Sequence, residues 1–96
     1  MKLVFVAFGE AIDVEVIGLL HSLGIEGYTK WVKTLGKGAS SGPHMLSHVW
    51  PNANNVVMAC VQDNVAAKLM AGVRELRKTI GHEGVKAFSL PVADVT

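Results

Sequence analysis

Charge of one sign is what this 96-residue sequence lacks most plainly: nine Lys and Arg stand against eight Asp and Glu, scattered rather than clustered. A basic stripe is the electrostatic footprint of nucleic-acid binding and of attachment to anionic membranes, so neither partner is expected. Cysteine is nearly absent. Cys60 alone excludes an intramolecular disulfide, and its place in the apolar run "NVVMACV" predicts a buried thiol in a reducing compartment. No uninterrupted apolar stretch approaches the roughly 20 residues that cross a bilayer. The opening "MKLVFVAFGE" is apolar, but Glu10, Asp13 and Glu15 interrupt it too early for a secretory signal and no cleavage pattern follows. The expected location is therefore the cytoplasm. Also missing is a Ser/His/Asp or Cys/His constellation in a supporting motif. Glu10, Asp13 and Glu15 suit a helix N-terminus and His21 a helix surface, so catalysis is not expected.

What the sequence has in plenty is apolar residues: half of the chain, with a mean hydropathy of +0.36. One hydrophobic core fits a chain of this length, so residues 1–96 are expected to form a single domain. So apolar a small domain has surface to cover, which favours a homo-oligomer.

Lys2 to Phe8 is a continuous run rich in Val and Phe, bounded by Gly9, and reads as a buried strand. From Asp13 to Leu23, Val16, Ile17, Leu20 and Leu23 recur at three- and four-residue spacing with Glu15 and Ser22 opposite, and Gly24 follows. That is an amphipathic helix with its C-terminal stop. Ile25 to Leu35, rich in β-branched and aromatic residues, reads as a second strand. Asn55 to Val61 reads as a third, covered on both faces because its hydrophobicity is continuous. Asp63 is the expected N-cap of a helix in which Val65, Leu69, Val73 and Leu76 repeat beside Ala66 and Met70. After the break from Gly81 to Gly84, "VKAFSLPV" is a last strand with Pro91 near its end. The order β-α-β-β-α-β is two similar halves. It predicts an α+β, ferredoxin-like sandwich: an antiparallel sheet with both helices on one face, the other face left to water or other subunits.

Four segments, in order and in approximate spacing, carry a likeness: "MKLV" at the start, "LGIEGYT" after the first helix, "VKTLGKG" closing the second strand and the late "KAFSLPV". With them the chain resembles the PII family of nitrogen-regulatory signalling proteins over most of its length. The resemblance implies a trimer whose sheets face inward, with effector sites in the clefts between subunits. It also implies that residues 37–54 are the T-loop that signals to a partner, a membrane transporter or an enzyme. By position, Gly36, Lys37 and Gly38 match the loop base that meets a nucleotide, Gly84 belongs to the second phosphate loop, and Lys86 matches the basic residue that neutralises phosphates. Glycine lets a backbone approach an anion, and an ammonium supplies a compact charge. Where the family carries an arginine in that second loop, "TIGHEGVK" offers His82 and Glu83. Divergent PII-like proteins take adenine mononucleotides, bicarbonate or metals, so an adenine nucleotide or a bicarbonate-type ligand is the expected effector.

The segment "GKGASSGPHMLSHVWPNAN" supports a second reading. His44, Met45 and His48 are ligand types for Cu or Zn, and a neighbouring loop or His82 would complete the set, as in a metal-tolerance or CutA-like protein. The alternative is that these are polar loop side chains. Trp50 before Pro51 is expected to pack at a neighbouring subunit or to anchor a partner.

Overall fold

The computed structural model describes residues 1–36, 53–80 and 84–96. Its elements run β1 (Lys2–Gly9), a 3-10 turn (Glu10–Ile12), α1 (Asp13–Ser22), β2 (Thr29–Thr34), β3 (Asn54–Val61), α2 (Asp63–Ile80) and β4 (Val85–Pro91). The strands form one sheet in the order β2-β3-β1-β4, and every pairing is antiparallel. This is the expected βαββαβ sandwich.

One sheet face and the helices' inner stripes make the core. Val4, Val6 and Phe8 of β1, Val57 and Ala59 of β3 and Val85 of β4 are buried against Val16 and Leu20 of α1 and Ala66, Leu69 and Val73 of α2. These are the positions that the two helical periodicities and the alternation of strand side chains select. Burying a Val, Leu or Phe side chain of this core contributes about 1.5–3 kcal/mol relative to leaving it exposed.

α1 ends on a hydrogen-bonded stop. Gly24 adopts φ 73°. Its N–H bonds to the His21 carbonyl, and the N–H of Ile25 reaches back to the Leu20 carbonyl at 3.0 Å. This is a Schellman turn, completed by the buried pair Ile25 and Leu20. It corrects the expected second strand. Ile25 serves as the apolar clasp of the helix end, and strand geometry begins only at Thr29, where pairing to β3 starts.

Three other expectations need correction. β3 is not covered on both faces within one chain: Asn55, Val57 and Ala59 are buried, and the residues between them are less so. Cys60 falls on the open face and is exposed, its Sγ 3.6 Å from the Met1 Sδ. A continuous apolar run implies double burial, but the helices cover one side only. Asp63 is the first residue of α2 rather than its cap, since the Ala66 N–H bonds to the Gln62 carbonyl. The Asp63 carboxylate instead meets the Met1 ammonium at 2.7 Å and Lys2 at 3.9 Å. Its pKa is lowered, first by the hydrogen bond from the amino terminus and then by the Lys2 charge.

Among the described residues no helix is long and apolar enough to cross a membrane.

Candidate functional site

Four strand ends meet at one end of the sheet: β1 leaves at Gly9 and β2 at Thr34, while β3 enters at Asn54 and β4 at Val85. The Gly9 N–H donates to the Gly84 carbonyl at 2.9 Å, and the Glu10 N–H donates to the Ala53 carbonyl at 3.1 Å. Ala53 and Gly84, which follow residues 37–52 and 81–83, are thus both bonded to the end of β1.

Gly36 lies close against β3, where a Cβ would stand 2.6 Å from the Asn54 side-chain nitrogen. A side chain at this position would have to displace the end of the Asn54 amide. Lys86 is exposed on the open face, in one row with Ala7, Val56 and Trp31 across the sheet. Its ammonium sits 5.8 Å from the centre of the Phe88 ring, a cation–π contact of about 0.5–1 kcal/mol at an exposed position. Among the described residues no carboxylate pairs with it. β2 and β4 are the sheet's edges. Three strand spacings of about 4.8 Å separate them, so the Gly36 and Lys86 ends of the rim lie roughly 14 Å apart. The fold thus gathers Gly36, Gly84 and Lys86 at one end of the sheet and spreads them along its rim. Lys37, Gly38, His44, Met45, His48, Trp50 and His82 lie outside the described residues. Among the described residues no three His, Cys, Asp or Glu side chains cluster as metal ligands would.

β2 reaches this end through an irregularity. Trp31 pairs with Val56 and Thr34 with Asn54, so Val32 and Lys33 together face Asn55. This is a β-bulge, and Lys33 takes φ 55° within it. Asn55 holds the bulge: its Oδ1 accepts the Lys33 N–H at 3.3 Å, and its Nδ2 donates to Asp13 Oδ1 at 2.9 Å. Asp13 in turn pairs with Lys30 at 2.7 Å, and Lys33 pairs with Glu10 at 3.8 Å. The Asp13 pKa is lowered, first by the hydrogen bond from Lys30; desolvation opposes this, and the Asn55 bond adds to the lowering.

The family described as Nitrogen regulatory protein P-II matches this sequence over residues 1–96. The chain belongs to the P-II family. It is therefore a member of a family of regulatory, signalling proteins, as the four sequence segments implied. Among solved structures it is similar to the apo form of CPII, a nitrogen regulatory PII-like protein from Thiomonas intermedia K12. The TM-score is 0.70 at 19% identity, over 93% of this chain and 85% of that one. CPII bound to ADP, AMP and bicarbonate gives 0.69 at 23% identity, over 97% and 88%. A PII-like signalling protein from Thermus thermophilus gives 0.67 at 21%, over 93% and 82%. No curated protein matches. At these identities the structures speak for the P-II fold, which is the βαββαβ sandwich described above.

Sequence reasoning missed the Asn55–Asp13–Lys30 cluster. It took Asn55 for the first residue of a strand and Asp13 for a helix-start charge, with no link between them. Part of a signal was present, because the two-residue strand period puts Asn55 on the same face as Val57 and Ala59. A polar side chain there needs partners.

Proposed function

We propose that residues 1–96 form one P-II domain of a cytoplasmic homotrimer, a regulator rather than an enzyme. It binds a small anionic effector, an adenine nucleotide or a bicarbonate-type ligand, in the clefts between subunits. Gly36, Lys37, Gly38, Gly84 and Lys86 line that site, and residues 37–54 carry the state of the site to a membrane transporter or an enzyme.

The observation behind this reading is the gathering of Gly36, Gly84 and the exposed Lys86 ammonium at one end of the sheet. The rim they occupy is roughly 14 Å long, too open to enclose a small molecule without a second wall, which a neighbouring subunit supplies. CPII structures with ADP and bicarbonate, and with ADP, AMP and acetate, show what related proteins of this fold hold.

Calorimetry of the purified protein with ADP, AMP, ATP and bicarbonate in the presence of Mg2+ tests the reading. Saturable heat is expected with an adenine nucleotide or bicarbonate. Lys86→Ala should weaken nucleotide binding about tenfold, because it removes a charged hydrogen-bond donor from a phosphate. No heat with any of the four overturns it. A second reading, metal binding by His44, Met45 and His48 with His82, is favoured by one feature: Ala53 and Gly84, which follow the two histidine-bearing segments, are both bonded to the end of β1. Copper and zinc titrations in the same instrument decide it. Equal affinity in the His44→Ala/His48→Ala double variant dismisses the loop as a metal site.

A further inference from the structure

We propose that Asn55 is a positioning residue of the effector site, acting through the bulge at Lys33 without touching the effector. The inference rests on the effector-binding reading above.

Asn55 is 5% exposed, the buried polar residue among those described, and both ends of its amide are engaged. Such a group in an apolar core has to be held by its partners, and here those partners are the two elements that shape the site. Oδ1 fixes the Lys33 N–H, and so fixes a non-glycine residue in the left-handed region, an arrangement that the bare backbone disfavours. Nδ2 ties the same amide to Asp13 at the start of α1, next to the 3-10 turn whose Glu10 N–H bonds to Ala53. The bulge bends β2 immediately before Thr34 to Gly36. Its geometry therefore sets the direction in which Gly36 is presented at the rim. Without Asn55, Lys33 is free to return to extended backbone, the bulge shifts, and Gly36 leaves its place beside Asn54. A site displaced by about 1 Å in this way loses affinity although every contacting residue is still present.

The test uses the full chain with ADP as the probe. Asn55→Leu fills the same space, and Asp13 keeps its Lys30 partner, so no buried charge is left alone. ADP affinity is expected to fall about tenfold. Adding Lys33→Gly, which adopts the left-handed conformation without penalty, should restore affinity to within about threefold of wild type. Val73→Ala, a core truncation in α2 away from the rim, separates positioning from stability: it should lower the melting temperature and leave ADP affinity unchanged. Wild-type affinity in Asn55→Leu overturns the proposal, as does a loss that Lys33→Gly fails to repair. If the wild-type protein does not bind ADP, the same variants are measured with whichever of AMP, ATP or bicarbonate gives saturable heat; absence of binding by all four overturns the effector-binding reading itself, and is recognised before any variant is made.

Discussion

The Asp13 carboxylate shows how a single ionisable side chain secures this end of the sheet. Its pKa is lower in the folded chain than in the unfolded one, chiefly through the hydrogen bond from Lys30. A depressed acid contributes stability that is fully present above its unfolded value, about 3.9, and that is lost as pH falls through the folded value. Urea unfolding of wild type and Asp13→Asn between pH 7 and pH 2 should therefore show the wild type losing its extra stability only below about pH 4. Parallel curves would dismiss the contribution. Asp63 is depressed as well and is present in both proteins, so its acid loss cancels in the comparison. Charges of this kind are visible in a sequence, but their partners are not. Asp13 and Asn55 are 42 residues apart, and only the pairing of β1 with β3 brings them together.

At the scale of the element, the strongest local instruction is the stop at Gly24. Nothing lies within 4 Å of a Cβ built there, while its φ is 73°. Gly24→Ala thus carries a conformational penalty without a clash, about 1 kcal/mol. For a domain of this size that lowers the melting temperature by about 4–8 °C. Gly27→Ala, with open space and no positive φ, should leave it unchanged. Equal melting temperatures for the two variants would refute the Schellman assignment. Both helices were legible because the period of 3.6 and a terminal glycine are local signals. β2 was legible only in part. The apolar, β-branched stretch from Ile25 extends past the helix end, and where pairing begins depends on what β3 offers opposite.

For the whole molecule, the consequence lies on the sheet face away from the helices. Leu3, Phe5 and Ala7 of β1 stand in register with Cys60, Met58 and Val56 of β3, and Leu3 and Phe5 also with Leu90 and Phe88 of β4. Phe88 is 50% exposed and Leu90 45% in the single chain. An apolar face of this extent is unusual on a monomer. Sedimentation equilibrium is expected to give three times the 10.2 kDa chain mass, and Phe5→Glu, at the centre of the face, to shift the protein toward single chains. A wild-type mass of one chain would remove the trimer from the proposed function. By itself the sequence determined the order of the elements, the inner faces of both helices and the P-II resemblance, because periodicity, turn residues and short motifs are local in the chain. Tertiary structure decided the rest. It put Cys60 on the open face, turned Asp63 toward Met1, made Asn55 the holder of a bulge, and brought Gly36, Gly84 and Lys86 to one rim. Those outcomes depend on strand register and on which sheet face the helices cover, and both are fixed by contacts between residues far apart in the chain.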